Sequence, residues 1–436
     1  ARVGLATLAG RGVVLLGLGA EDTAGVPAVL GAGPAEVRVV VDDPPAGLAP
    51  GLAGAAIVSL EEAAAWAEVF VRSPGFPRYR PPLPAAVEAG AAVTTPLDLW
   101  LGTHGAGRTV VGITGTKGKS TVSDLVGRLA AAHGLRVGVA GNLGPPVFGD
   151  TWDHQAPAVA LEVSSYQAAD LHHVPDIAVV THLAEDHLSW HGGVDRYVAD
   201  KLRLLRNEGG TAGTILVAES SAAAREAIAA MGLDPVVVAA PPAPDELPVH
   251  RVANAALAAE VVHRLGGPAP TTASVVDAAR SSLPGRLDRC EGPPGVLCLD
   301  DALASNPSAT AAALAWLRGR DLPTVVLVGG TDRGVDLAPL VEEVGRWRPG
   351  RLHAVTLPDT GTELAARCGL SVVAVADSVE SATRSALDAV GSGGVVLLSP
   401  AAPTPARIGN WQTRSDQFRA ALSALALPTA TPTPPD

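Results

Sequence analysis

Lysine is scarce in this chain: of 32 basic residues only Lys117, Lys119 and Lys201 are lysines, the rest being arginine. A lysine that persists against such a bias marks a position where guanidinium chemistry will not serve. Two of the three lie in Gly112-Ile-Thr-Gly-Thr-Lys-Gly-Lys-Ser-Thr121, which follows a β-branched run and opens an amphipathic helical stretch. Glycines there let successive backbone N–H groups wrap a phosphate, and a helix N-terminus adds its positive end. Gly115, Thr116, Lys117 and Gly118 are expected to form that wrap. Lys119 is expected to reach the β- and γ-phosphates of ATP, with Ser120 or Thr121 on Mg²⁺. The strict Gly-x-x-x-x-Gly-Lys-Ser/Thr spacing is broken by Ile113, so the loop reads Thr114-Gly-Thr-x-Gly-Lys-Ser. Glu162 is an oxygen ligand suited to Mg²⁺. Imidazole prefers softer metals, so on spacing alone His187 reads as a capped or core residue, and Lys201 as an exposed helix residue.

The elements that must position these groups follow from a strand–helix rhythm. Three blocks are expected, 1–107, 108–285 and 286–436, each alternating short apolar runs with helical stretches. The runs are 13–18 and 37–41 in the first block, and 109–113, 159–163, 177–182 and 214–218 in the second. In the third they are 324–328, 352–356, 371–375 and 395–398. That alternation implies a three-domain α/β protein of mainly parallel sheets with flanking helices. A Gly-rich connector is expected over 102–108, and a disordered Pro/Thr-rich tail from Pro428. With 436 residues, several domains are the natural expectation. The net charge of −12 argues against nucleic-acid and anionic-membrane partners. Three cysteines without a CxxC spacing fit a reducing, cytoplasmic setting and no structural zinc. No apolar run approaches the roughly 20 residues that span a bilayer.

The variant loop resembles that of the Mur ligase and folylpolyglutamate synthase superfamily, and the resemblance runs over nearly the whole chain. Glu162-Val-Ser-Ser-Tyr-Gln167 is similar to the family's Glu-Leu-Ser-Ser-Phe-Gln, and Glu185-Asp-His187 to its Glu-Asp-His. Tyr197-Val-Ala-Asp-Lys201 resembles its Tyr-x-x-x-Lys, whose lysine is carbamylated. His250-Arg-Val-Ala-Asn254-Ala resembles the adenine-contacting His-Asn-x-x-Asn-Ala, with Arg251 a departure. Leu283-Pro-Gly-Arg286 is similar to Leu-Pro-His-Arg, with Gly285 a departure, and Asp300-Asp-Ala-Leu-Ala-Ser-Asn306 to Asn-Asp-Ser-Lys-Ala-Thr-Asn. Order and spacing are closest to the glutamate-adding MurD branch.

The resemblance implies an ATP-dependent ligase that adds glutamate to UDP-N-acetylmuramoyl-L-alanine through an acyl phosphate. Two Mg²⁺ ions, replaceable by Mn²⁺, would be held by Ser120, Glu162, His187 and carbamylated Lys201. ATP would also meet Asn254, Arg286 and Asp301. The first block would take the uridine diphosphate at Gly17 and Gly19 of a short Gly-x-Gly turn, at Asp42, and at Ser73 of Ser-Pro-Gly75. Asn142 and Ser164 would face the muramoyl substrate. Leu303, Ser305, Arg333, Thr404 and Trp411 would line the amino-acid site, and a monomer is expected. Several of these depart from the D-glutamate pattern: Leu303 and Arg333 replace lysines, Ser305 a threonine, Thr404 a serine, and Trp411 a phenylalanine. Relocated carboxylate donors are what an inverted stereocentre demands, so L-glutamate is the expected amino acid, with D-glutamate the alternative. A folylpolyglutamate synthase, favoured by Lys117, lacks a nucleotide domain ahead of its phosphate loop. A non-catalytic nucleotide binder of the same fold would not need Glu162, His187 and Lys201 together.

Overall fold

Runs of Val, Leu, Ile and Ala that are apolar throughout make parallel strands buried on both faces. In this computed structural model, residues 3–42, 51–142, 144–280, 284–331 and 335–426 are described. The expected tail from Pro428 and the expected carboxylate clamp Arg333 lie outside the described residues. The chain divides into two compact units, Ala1–Ser281 and Ser282–Asp436.

The first unit carries two large sheets. Strands β1 (Gly12–Leu16), β2 (Glu36–Val40), β3 (Ala56–Ile57), β4 (Val69–Arg72) and β5 (Ala92–Thr94) pair all-parallel in the order β3-β2-β1-β4-β5. The second sheet uses β6 (Thr109–Thr114), β7 (Val137–Gly141), β8 (Ala158–Glu162) and β9 (Ile177–Val180). After a small antiparallel ribbon, β10 (Arg206–Asn207) and β11 (Gly210–Thr211), it adds β12 (Thr214–Ala218) and β13 (Val236–Val238). Its order is β13-β12-β9-β6-β8-β7, all parallel, which puts β6 in the middle with β8 and β9 as neighbours. The phosphate loop and both acidic segments therefore leave adjacent strands at their C-terminal ends, where open α/β sheets bind ligands.

Buried polar latches join the two sheets. Arg72, fully buried, donates Nε–H to Asp170 Oδ2 at 2.7 Å and Nη1–H to the carbonyls of Ser73, Pro74 and Phe76; Arg78 also donates to Asp170. Asp98 accepts from the backbone N–H of His172 and contacts Nδ1 of His172 and His173 at 2.9 Å each. Burial alone would raise both carboxyls. The histidines at Asp98 and the arginines at Asp170 outweigh it and hold each below the usual carboxylate range.

The expected 102–108 connector needs correction. Helix Pro96–His104, capped by Thr95, runs through its first half. Gly102 is there for packing, since a Cβ on it would meet the His173 ring at 2.7 Å. Edge strand β7 escaped the sequence reading. A tryptophan ring covers Gly138, where a Cβ would lie 2.8 Å from Trp152, so the strand lacks a continuous β-branched run.

In the second unit β14 (Asp288–Cys290), β15 (Leu297–Asp300), β16 (Thr324–Val328), β17 (Leu352–Thr356), β18 (Ser371–Val375) and β19 (Val395–Leu398) form the order β14-β15-β19-β16-β17-β18. Only the β14–β15 pair is antiparallel. No helix among the described residues is long and apolar enough to cross a membrane.

Candidate active site

The phosphate loop turns where only glycine fits. Gly115 has φ +143°, and a Cβ there would stand 2.0 Å from Thr181 Oγ1. Gly118 has φ +90°, and a Cβ would stand 2.6 Å from Asn254 Oδ1. The second contact brings the expected adenine-side residue Asn254 against the loop. Helix Lys119–Ala132 starts immediately after Gly118, with Ser120 and Thr121 in its first turn.

Two of the three lysines converge on one atom. Lys119 Nζ and Lys201 Nζ donate to the Gly115 carbonyl at 3.0 and 3.1 Å. Lys201 stands on helix Val194–Leu202 and is 2% exposed, contrary to its reading as a surface lysine. Burial, then the positive charge of Lys119, drive its pKa well below that of a free lysine. Lys117 Nζ lies 3.6 Å from Asp186 Oδ2.

Glu162 ends β8 and is buried, accepting from Asn142 Nδ2 at 3.2 Å, so two expected residues meet directly. His187 adopts a left-handed backbone, φ 53°, with its Nδ1 2.9 Å from Tyr166 Oη and Nε2 3.8 Å from Asp186 Oδ2. Burial lowers its pKa; Asp186 opposes this, and Lys201, Lys117 and Lys119 add to it. The imidazole and all three lysines thus share one electrostatic neighbourhood. Among the described residues no three His, Cys, Asp or Glu side chains form a metal-holding group. An oxygen carried on Lys201 is what a divalent site with Glu162 and His187 would need.

Two expected site residues bond within the protein. Thr116 gives its N–H to the His182 carbonyl, and its hydroxyl bonds Ala184 and, at 2.7 Å, Tyr197 Oη. Ser164 caps the short helix Ser165–Ala168, accepting from Gln167 N–H and donating to Gln167 Oε1 at 2.9 Å. Its hydroxyl is committed to that turn.

In the first sheet Gly17 (φ +82°) and Gly19 close on Ser73: a Cβ on Gly17 would lie 2.9 Å from Ser73 Cβ. Asp42 is exposed and paired with Arg80 at 2.7 Å. Sequence reasoning missed Glu21 and Asp22 in the first turn of helix Ala20–Gly31. Asp22 accepts the Gly19 N–H at 3.2 Å, and Glu21 accepts from Gln167 Nε2 at 3.0 and 3.1 Å. Burial raises both carboxyls to about 7.

In the second unit Asp301 is buried and raised to about 7, chiefly by burial; Ser399 donates to it, and the Arg286 charge opposes the rise. Its other oxygen accepts the N–H of Leu287, whose φ is 50°. Leu303 N–H bonds the Gly285 carbonyl. Gly285 (φ +74°) faces Trp411, whose ring a Cβ would meet at 2.8 Å, so these two departures occupy one space. Ser305 lines a small cavity of about 30 Å³ with Thr331, Thr360 and Ala402. Thr404 Oγ1 is buried without a hydrogen-bond partner. Arg414, missed in the sequence, is buried, bonds the Ala402 carbonyl at 3.2 Å, and is lowered by burial to about 10.

The tyrosines were not singled out as site residues, although they are as scarce as the lysines. The chain has three, and each hydroxyl ends on this site: Tyr197 on Thr116, Tyr166 on His187, and Tyr79 on Asp200, next to Lys201. Scarcity would have found them.

The Mur ligase middle domain matches residues 113–238, and the Mur ligase, glutamate ligase domain, matches residues 285–402. The chain belongs to the Mur ligase family and is an ATP-dependent, amide-bond-forming ligase. Solved structures of the same fold include MurC of Thermotoga maritima, with 14% identity over 95% of this chain and 99% of that one and a TM-score of 0.56. MurF of the same organism, in complex with ADP, has 14% identity over 97% and 96% and a TM-score of 0.56. Within the family the chain is similar to proteins named UDP-N-acetylmuramoyl-L-alanine–L-glutamate ligase. That of Micromonospora sp. is 37% identical over 97% of this chain and 98% of the relative. That of Salinispora tropica is 36% identical over 97% and 99%. A Frankia casuarinae protein named UDP-N-acetylmuramoylalanine–D-glutamate ligase is 31% identical over 95% and 94%.

Proposed function

We propose that this ligase joins L-glutamate to UDP-N-acetylmuramoyl-L-alanine in cytoplasmic peptidoglycan precursor synthesis, spending ATP. The observation that carries the chemistry is the convergence of Lys119 and Lys201 on the Gly115 carbonyl beneath a glycine-lined loop. The γ-phosphoryl group of ATP passes to the substrate carboxylate, giving an acyl phosphate and ADP. The glutamate amine then attacks the acyl carbon, and phosphate leaves as the amide forms with loss of the amine proton. Lys119, beside the loop, neutralises charge on the transferring oxygens, which in a closed site contributes several kcal/mol. Residues 1–107 would take the uridine diphosphate, 108–285 the ATP, and 286–436 the amino acid.

Ser120, Glu162, His187 and carbamylated Lys201 would hold Mg²⁺, which supplies charge neutralisation for the phosphoryl oxygens. The Lys201 amine fits this role because its burial favours the neutral form that takes up carbon dioxide. The names of the Micromonospora and Salinispora relatives support L-glutamate, and that of the Frankia relative keeps D-glutamate as the second reading. Phosphate release measured with UDP-N-acetylmuramoyl-L-alanine and each glutamate enantiomer decides between them. A kcat/KM favouring D-glutamate overturns the first reading.

A further inference from the structure

Tyr166 stands in the segment Glu162-Val-Ser-Ser-Tyr-Gln167 after β8. Its hydroxyl lies 2.9 Å from Nδ1 of His187. We propose that Tyr166 is a positioning residue that locks the His187 ring, so that Nε2 alone addresses Asp186 and the phosphate loop.

Three observations build the lock. The His187 backbone is left-handed at φ 53°, a conformation that a non-glycine residue keeps only when its surroundings enforce it. Its ring packs against the Tyr166 ring, with centroids 4.9 Å apart and the planes tilted by 53°. Tyr166 is in turn held by the rings of Trp190 at 4.5 Å and His191 at 5.7 Å. The hydroxyl therefore has little freedom to leave Nδ1. A phenol both donates and accepts, so it bonds Nδ1 whether that nitrogen carries the proton or the lone pair. The proton can move between the ring nitrogens while the ring stays in place. A phenylalanine would keep the ring packing and lose this. The imidazole could then turn about Cβ–Cγ, carrying Nε2 away from Asp186, whose Oδ2 Lys117 also approaches at 3.6 Å.

The consequence for turnover rests on the proposed reading that His187 helps hold Mg²⁺; the orientation itself does not. The test is Tyr166→Phe, observed first by long-range ¹H–¹⁵N spectra of the ligand-free, ¹⁵N-histidine-labelled chain, with His187→Gln to assign the resonances. The wild type should show an Nδ1 shift displaced by a hydrogen bond, and the variant a shift returned toward that of a free imidazole. The Mg²⁺ concentration for half-maximal activity should then rise about 10-fold, the lower end of what loss of a group supporting a metal ligand costs, while KM for the amino acid stays unchanged. Unmoved His187 resonances in Tyr166→Phe would overturn the proposal. Moved resonances with an unchanged Mg²⁺ requirement would overturn its link to the metal. Absence of ligase activity in the wild type would sink the functional reading and leave the spectral result standing.

Discussion

The phosphate-loop region and the strand-end region of the second unit are built on the same plan, parallel strands ending in glycine turns, yet they depart from their relatives very differently. Around the loop two scarce residue types are concentrated: every lysine and every tyrosine of the chain ends there. In the second unit the departures cluster instead, at Gly285, Leu303, Ser305, Thr404 and Trp411. In the proposed reading the first region handles charge on reacting oxygens, where only certain groups serve, and the second recognises a shape, which paired changes can remake. Gly285 and Trp411 show such a pair, the missing side chain of one making room for the ring of the other.

The sharpest way to break this contrast is Lys119→Ala. Loss of ATP-dependent phosphate release by at least about 100-fold is expected from removing a charge at the transferring group, with the melting temperature little changed. Near-normal turnover would show that the loop is as replaceable as the second unit. Lys201→Ala should fall as far and recover in part with short-chain carboxylates; rescue by amines instead would argue against the carbamate.

Next in size is Asp170→Asn, which leaves the buried Arg72 without its counter-charge. Breaking such a pair costs about 3–5 kcal/mol, readable by urea unfolding. The pH dependence has a definite sign. Asp170 and Asp98 have folded pKa values below their unfolded ones. Their contribution is complete above an unfolded value of about 4 and is lost as pH falls through the folded value. Asp170→Asn should therefore flatten the acid limb of stability, and an unchanged limb would contradict the latch.

Gly285→Ala tests the paired change directly. The left-handed backbone and the tryptophan contact together should cost about 1–3 kcal/mol. Trp411→Phe in the same chain should recover part of it, a coupling absent if the two positions drifted independently. The smallest effect is expected from Ser164→Ala, about 1 kcal/mol of stability through the lost helix cap, with KM for the muramoyl substrate unchanged. A raised KM would return that hydroxyl to the substrate.

Most strands were legible because both of their faces are buried, leaving uninterrupted apolar runs such as 324–328 and 395–398. Strand β7 and the helical start of the 102–108 segment were not, since glycines there serve ring packing, which a one-dimensional pattern does not encode. The loop lysines were legible through scarcity and spacing. The orientation of Thr116, the burial of Lys201 and the first-turn acids Glu21 and Asp22 depend on contacts between distant segments, and no local signal carries them.

Arg72 has a further consequence, for how the molecule acquires its structure. Its guanidinium holds the Ser73 loop of the first sheet only by reaching Asp170 and the Tyr166 carbonyl of the second. Asp98 likewise finds its histidines across the same boundary. A chain emerging from the ribosome offers Arg72 and Asp98 their partners only after Asp170, His172 and His173 have been made. A fragment ending near residue 107 should lack both latches and be the less stable for it. The first 280 residues should therefore protect their amides from hydrogen exchange as one cooperative block, and the first sheet should resist being exchanged as a module between relatives unless Asp170, His172 and His173 travel with it.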